Sequence, residues 1–309
     1  MTSFVSHGPD RRDGRVYDLS DDLQLAIEVA LAADRPLLLS GDPGSGKSSL
    51  APYYARQNGL RYYEHVVTSR TQATDLLWTF DSVRRLADAQ AHHGQLHDGV
   101  YVNPGALWWA FAPESAHTRG GLRKALPYSD PHERFHEEYR MRSAVVLIDE
   151  IDKADPDVPN GLLVPLGSQE FTVADTGTRI CRETAAGSPL VVITTNGERQ
   201  LPDAFLRRCV TYTLPGPTRE SLMRIAELHL RDEGMPPDGE TLALMGMLAD
   251  ELMQAREGNG GMLGREGLPS TAEYLDALWA CRALGMGPRH PRWPLLRNLT
   301  LAKSSQRDG

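Results

Sequence analysis

The fold is decided by the stretch Gly41-Asp42-Pro43-Gly44-Ser45-Gly46-Lys47-Ser48. Its glycines allow backbone N–H groups to turn inward around an anion, and the helix predicted to start near Lys47 adds its positive end. Lys47 is expected to reach the β- and γ-phosphates of a nucleotide, and the Ser48 hydroxyl to bind Mg²⁺. An apolar run at residues 37–39 and a helical pattern after the loop complete the strand–loop–helix context. The predicted contacts of a nucleoside triphosphate are Gly41, Asp42, Pro43, Gly44, Ser45, Gly46, Lys47, Ser48 and Ser49.

Composition places the chain among ordinary globular proteins. Of its 309 residues 40% are apolar and 24% are charged, and the formal net charge is −8. A negative net charge argues against direct binding to nucleic acid, which needs a concentrated basic surface. The longest aliphatic run, residues 144–148, is far shorter than the roughly 20 residues that span a bilayer. The polar N-terminus lacks the apolar core of a secretory signal and the three cysteines show no CxxC spacing, so we expect a cytoplasmic protein without membrane insertion.

Short apolar runs alternate with helical patterns up to about residue 215. Besides residues 37–39, strands are predicted at residues 62–67, 144–148, 189–195 and 210–214. Strands separated by helices indicate a parallel sheet covered on both faces. Two insertions are also predicted, a β-hairpin at residues 171–180 and a turn–strand–turn segment at residues 94–104.

The composition changes at Pro215-Gly216-Pro217, after which helical patterns begin at Thr218, Asp238 and Thr271. The predicted fold class is therefore α/β, a P-loop parallel sheet with β-hairpin inserts, followed by a small all-helical lid domain. The predicted organisation is a flexible segment at residues 1–16, a nucleotide-binding domain at 17–216, a lid at 217–286 and a basic tail at 287–309.

Polar residues follow two of the predicted strands. The apolar run 144–148 ends in Asp149 and Glu150, and the run 189–195 ends before Asn196. Carboxyl ends of parallel strands meet at one edge of a sheet, beside the loop after the first strand. Asp149 is expected to hold Mg²⁺, Glu150 to polarise an attacking water and Asn196 to orient that water.

Two arginines, Arg207 and Arg208, end a short predicted helix directly before the strand at residues 210–214. A planar guanidinium that is always charged is suited to stabilise charge on a transferring phosphoryl group. The alternative is that both are solvated charges at a helix end, where they interact favourably with the helix dipole.

Together these elements resemble the AAA+ ATPases, and within them the MoxR-like group. Residues 41–48 look like the Walker A motif, residues 145–150 like Walker B, and Asn196 like sensor 1. Residues 101–111 and the hairpin at 171–180 also look like segments of that group. The resemblance extends over roughly residues 17 to 285.

The resemblance implies a homo-oligomeric ring, commonly a hexamer, that binds ATP and Mg²⁺ between its subunits. It implies an arginine finger supplied by a neighbouring subunit, with Arg208 the better match and Arg207 the alternative. It also implies remodelling or assembly of a client protein, often with a partner that carries a von Willebrand factor A domain. Some members serve in bacterial defence systems.

One position departs from the family pattern. The lid usually carries a basic residue, sensor 2, at the start of its third helix, where this chain reads Gly267-Leu268-Pro269-Ser270-Thr271. Arg265 is the nearest basic residue. The departure leaves two functions open: an ATP-hydrolysing remodeller, and an ATP-gated scaffold that hydrolyses slowly and acts with a partner.

Three further signals compete with this interpretation. Residues 132–136 spell HExxH, a zinc-protease pattern, but lie among charged residues without a clear third ligand. A second loose histidine group is formed by His92, His93 and His97. Asp152-Lys153-Ala154-Asp155 is similar to the guanine-reading NKxD of GTPases but lacks its asparagine, so ATP is the preferred nucleotide.

A small-molecule P-loop kinase is the third function considered; it needs neither Asn196 nor the arginines in this arrangement.

Overall fold

A computed structural model describes most of the chain, and its residues divide into two compact units. One unit comprises Asp21–Ser40 and Tyr54–Tyr212. The other comprises Met1–Ser20, Gly41–Tyr53 and Thr213–Gly309. The described residues are 13–91, 96–121, 128–130, 143–259, 268–287 and 289–301.

The strands form one five-stranded sheet and two small two-stranded sheets. The order in the large sheet is β2-β5-β8-β1-β9, and the pairs β2–β5, β5–β8 and β1–β8 are parallel. This confirms the predicted P-loop parallel sheet. The strands are β1 Leu37–Ser40, β2 Arg61–Val66, β3 Trp78–Phe80, β4 Val102–Pro104, β5 Ala144–Asp149, β6 Glu170–Val173, β7 Thr178–Cys181, β8 Leu190–Thr195 and β9 Val210–Thr213.

Helices separate the strands and form the C-terminal part of the chain. Shorter 3-10 turns occur at Ala73–Leu76, Asp98–Tyr101, Ile151–Lys153 and Thr184–Ala186. The α-helices of the described residues are α1 Asp21–Ala32, α2 Lys47–Asn58, α3 Ser82–Ala91, α4 Ala106–Phe111, α5 Pro113–His117, α6 Asp157–Gly161, α7 Leu163–Ser168, α8 Asp203–Leu206, α9 Arg219–Asp232, α10 Gly239–Asn259, α11 Thr271–Leu284 and α12 Trp293–Thr300.

The central strands β5 and β8 are buried along their whole length. Their aliphatic side chains cover both faces of the sheet, as expected for strands of a parallel sheet. In the register, Leu147 lies opposite Val192 and Ile148 opposite Ile193. The residues that end these strands therefore lie side by side at the carboxyl edge of the sheet.

The two small sheets, β3–β4 and the hairpin β6–β7, are antiparallel and are joined through one tryptophan. The Trp78 ring stacks on Phe171 with centroids 5.7 Å apart, and its Nε1 donates a hydrogen bond to Asp175 Oδ2 at 2.8 Å. The hairpin predicted at residues 171–180 is confirmed. The predicted insertion at 94–104 contains β4, which pairs with β3.

The helices α9 to α12 share a buried apolar cluster of their own. The Thr218 hydroxyl accepts the backbone N–H of Ser221 at 3.1 Å, which caps α9. No element was predicted beyond residue 286, yet α12 lies there and buries Trp293 and Leu296 in this cluster. Trp293, Leu296 and Leu299 are spaced three residues apart, as in a helix, but this spacing was overlooked because the segment was interpreted as a basic tail. In the described part of the chain, no helix is long and apolar enough to cross a membrane.

Candidate functional site

The phosphate loop has a backbone that its glycines make possible. Gly44 and Gly46 have φ angles of +70° and +90°, a conformation that L-residues with a side chain rarely adopt. Helix α2 then starts at Lys47. The loop therefore delivers its backbone N–H groups to the N-terminus of a helix, which is the arrangement that binds phosphate.

Two side chains of the loop carry polar groups suited to an anion. Lys47 is 6% exposed, and its Nζ donates to the carbonyl oxygens of Gly41 and Asp42 at 2.8 and 2.9 Å. The buried Ser45 hydroxyl has no hydrogen-bond partner among the described residues. An ammonium held by weakly basic carbonyls and an orphaned hydroxyl both gain from a phosphate oxygen, so these residues fit a nucleotide.

The carboxyl edge of the sheet is organised by Thr194. Asp149 ends β5 and is 2% exposed, and Thr194 Oγ1 donates to its Oδ1 at 2.6 Å. The same hydroxyl accepts the backbone N–H of Glu150 at 2.8 Å. One hydroxyl, itself fully buried, thus fixes both predicted acids. Sequence reasoning did not single out Thr194, because a threonine inside a buried β-strand carries no distinctive signal.

Glu150 has an unusual backbone and two side-chain partners. Its φ and ψ angles are +62° and +49°, a left-handed conformation that costs about 1 kcal/mol or more for a residue other than glycine. Oε1 accepts from Asn196 Nδ2 at 3.5 Å, and Oε2 accepts from Lys153 Nζ at 2.7 Å. The hydrogen bond to Glu150 raises the pKa of Lys153. The structure therefore brings Glu150 and Asn196 together and adds Lys153, which was not predicted to take part.

A third acid, Asp152, also lies at this edge. It is 2% exposed, and its Oδ2 accepts the backbone N–H groups of Asn196 and Glu198 at 3.1 and 2.9 Å. Its Oδ1 is buried and has no partner within the described ranges. Asp152 thus fixes the chain that carries Asn196. Its position two residues after Glu150 is the only sequence signal that could have pointed to this role.

The two arginines form no hydrogen bond or ion pair with these acids. Arg207 and Arg208 follow α8 and are exposed. The backbone carbonyl of Arg207 accepts from Arg35 Nη1 at 2.8 Å. Neither guanidinium forms a hydrogen bond or an ion pair with any residue that the structure describes. Both guanidinium groups are thus exposed to solvent and accessible to another molecule.

Several candidates of the sequence lie outside the described residues. They are the HExxH pattern at residues 132–136, the pair His92 and His93, and Arg265. Among the residues that are described, no group of three or more His, Cys, Asp or Glu side chains is arranged to hold a metal ion by itself. Mg²⁺ prefers hard oxygen ligands, such as those of a hydroxyl, a carboxylate and the phosphates of a nucleotide.

Comparisons with known proteins identify a family. Residues 36–209, more than half of the chain, match the family model described as AAA domain (dynein-related subfamily). Among solved structures, the chain is similar to a putative ATPase from Cytophaga hutchinsonii ATCC 33406. The two share 14% sequence identity over 85% of this chain and 73% of that one, with a TM-score of 0.40. No match was found among curated proteins.

Proposed function

The chain belongs to the AAA domain family, dynein-related subfamily, and from this premise we propose that it binds ATP and hydrolyses it to ADP and phosphate. One observation carries the proposal. The acids that end β5 are fixed by Thr194, and the amide of Asn196 lies 3.5 Å from the Glu150 carboxylate. A carboxylate and an amide in this arrangement can hold one water molecule between them.

Each of these residues has a separate role in the proposed hydrolysis. Residues 41–49 bind the phosphates, with the Lys47 ammonium as the main positive charge. Ser48 would bind Mg²⁺ through its hydroxyl and Asp149 would hold it through its water shell, and the bound ion would neutralise phosphate charge. Glu150 accepts a proton as the water oxygen bonds to the γ-phosphorus and the bond to the β–γ bridging oxygen breaks. Asn196 orients that water.

A variant that keeps the shape of Glu150 and removes its charge tests this function. We expect Glu150→Gln to bind ATP with wild-type affinity and to hydrolyse it at least about 100-fold more slowly, because the general base is lost. Binding of a fluorescent ATP analogue and steady-state phosphate release measure the two effects. Glu198→Gln is the matched control, since Glu198 is exposed at the same edge and contributes its backbone N–H there. Wild-type turnover in Glu150→Gln would refute the role of Glu150.

We further propose that the chain works as a cytoplasmic MoxR-like ring, commonly a hexamer, in which Arg208 acts on the ATP of a neighbouring subunit. Arg207 is the alternative. The proposal is supported by the exposure of both guanidinium groups and by their lack of partners among the described residues. The ring would remodel or assemble a client protein, with a partner that carries a von Willebrand factor A domain.

Mixing two inactive variants tests the ring. In Lys47→Ala the phosphate loop is impaired, and in Arg208→Ala the arginine is missing. If the arginine acts between subunits, mixed rings contain some interfaces with an intact loop and an intact arginine. We expect turnover to return on mixing. The control variant Arg231→Ala, in the helical segment formed by α9 to α12, should have no effect alone. Two inactive variants that stay inactive when mixed, although mass photometry shows mixed rings, would contradict this role.

A second candidate function is an ATP-gated scaffold that hydrolyses slowly. It is favoured by the ion pair between Lys153 Nζ and Glu150 Oε2 at 2.7 Å. A carboxylate that already accepts a hydrogen bond from an ammonium group polarises a water molecule less strongly. Under this function, Lys153→Ala should raise basal turnover severalfold, whereas Lys153→Arg should keep it low. A fall in turnover on Lys153→Ala would instead give Lys153 a supporting role in hydrolysis.

A further inference from the structure

An ion pair joins the phosphate loop to the helical segment. Arg256, in the last turn of α10, donates from Nη2 to Asp42 Oδ2 at 2.7 Å and from Nη1 to the carbonyl oxygen of Pro269 at 2.7 Å. The two charged side chains are only 14% and 15% exposed. Their interaction is therefore screened less by water and salt than that of a surface pair.

A second contact lies beside the ion pair. A Cβ placed on Gly44 would come within 2.2 Å of Ser270 Oγ, so the backbone of the loop touches the residue that precedes α11. Ser270 is 4% exposed, and its backbone N–H donates to Glu273 Oε2 at 3.0 Å. Asp42 and Gly44 are thus both held from the helical segment, one through charge and one through close packing.

The charge of Asp42 poses an electrostatic problem for nucleotide binding. Its carboxylate belongs to the same eight-residue loop that is expected to receive a polyphosphate, which carries several charges of the same sign. Like charges a few ångströms apart in a partly buried site repel strongly. Arg256, which is always charged, is the group that offsets Asp42 in this structure.

We propose that Arg256 is a positioning residue for the nucleotide. By neutralising Asp42, it allows the loop to bind polyphosphates, and its contribution grows with the phosphate charge. The inference rests on the proposed binding of ATP by this loop. It adds a residue from the end of α10 that no sequence motif identified.

The electrostatic role and a purely structural tie make opposite predictions. If Arg256 only tethers the loop, weakening the ion pair from either side loosens the tether, and neither single variant gains affinity for ATP. If Arg256 neutralises Asp42, then Arg256→Gln leaves a bare negative charge beside the phosphates, whereas Asp42→Asn leaves a bare positive one. The two single variants should then change affinity in opposite directions.

The test is the Kd of the full-length chain for fluorescent ATP and ADP analogues with Mg²⁺ present. We expect Arg256→Gln to weaken ATP binding about tenfold and ADP binding about threefold, because the interaction scales with charge. Asp42→Asn should tighten ATP binding, and the double variant should return to within about twofold of wild type. Arg219→Gln is the matched control, since Arg219 forms an equally short ion pair with Asp250 inside the helical segment.

The outcomes separate the two proposals. Equal losses for both single variants, or equal effects on ATP and ADP, overturn the electrostatic role while leaving nucleotide binding intact. A wild-type chain that binds neither nucleotide overturns the proposed function as well. If Arg256→Gln fails to fold by circular dichroism, Asp42→Asn decides alone: tighter ATP binding supports the proposal and weaker binding overturns it.

Discussion

At the scale of single residues, the predicted acids and the asparagine of the carboxyl edge are held by neighbouring polar side chains. The Thr194 hydroxyl is shared between the Asp149 carboxylate and the Glu150 N–H, and Asp152 plays the same part for the backbone of Asn196. A buried carboxylate without such partners would be costly, because burial disfavours its charged form. The positions of the groups proposed to react are thus fixed by side chains to which the proposal gives no chemical role.

Removing the Thr194 hydroxyl should damage both stability and turnover. We expect Thr194→Val to lower the free energy of unfolding by about 1–3 kcal/mol, because the Glu150 N–H and the Asp149 carboxylate each lose a buried partner. Turnover should fall with little change in ATP affinity. Urea denaturation and phosphate release measure the two effects, and Thr194→Ser, which keeps the hydroxyl, should restore both. A stable, fully active Thr194→Val would show that the hydroxyl does not hold these acids.

At the scale of elements, the two small sheets β3–β4 and β6–β7 pack as one structure. Trp78 of β3 stacks on Phe171 of β6 and donates its N–H to Asp175 in the turn between β6 and β7. Isolated two-stranded hairpins are marginally stable in water. Their mutual packing around Trp78, which is 9% exposed, explains how both persist outside the large sheet.

The turn at Asp175 should loosen when its acceptor is removed. We expect Asp175→Ala to cost about 1 kcal/mol, because the indole N–H loses its partner, and to speed amide hydrogen exchange at residues 174–177. Asp175→Asn keeps an acceptor oxygen and serves as the control, with near wild-type exchange. Unchanged exchange in Asp175→Ala would mean that ring stacking alone holds the turn.

At the scale of the whole molecule, each of the two units has a buried cluster of its own. The cluster of the sheet unit surrounds the strands that carry the acids. Next to it, in β2, His65 lies opposite Ile148. Burial lowers the pKa of His65 below its ordinary value, partly offset by the negative charge of Asp75.

The lowered pKa of His65 predicts a loss of stability in acid. The unfolded chain binds a proton at His65 near pH 6.5, whereas the folded chain binds it only at lower pH. Protonation therefore favours unfolding as the pH falls below about 6.5, with a slope from this group of at most about 1.4 kcal/mol per pH unit. Urea denaturation between about pH 7 and pH 5 measures the free energy of unfolding as a function of pH. We expect this free energy to fall less steeply with decreasing pH in His65→Gln than in the wild type. An equal slope in the variant would assign the acid sensitivity to other groups.

Local patterns in the sequence were sufficient to predict several parts of the protein. The glycines of residues 41–48 predict the loop because few other residues adopt its positive φ angles. Uninterrupted aliphatic runs predict β5 and β8, because only a strand buried on both faces tolerates them. The acids and the asparagine follow the ends of these strands, and the parallel order of the sheet predicts that they lie at the same edge. Such signals are local, so each could be recognised without knowing the fold.

Contacts between distant residues were decided only by the tertiary structure. Thr194 forms a hydrogen bond with Asp149, which is 45 positions away in the sequence. The corresponding separations are 97 positions for Trp78 and Asp175 and 214 positions for Arg256 and Asp42. Each pair consists of residue types that are common on protein surfaces and in strands, so nothing in their neighbouring residues marks the partner. The sequence by itself therefore determined which groups are proposed to bind and activate a nucleotide. The packing of the chain determined which side chains hold those groups in place, because that depends on distances that no local pattern encodes.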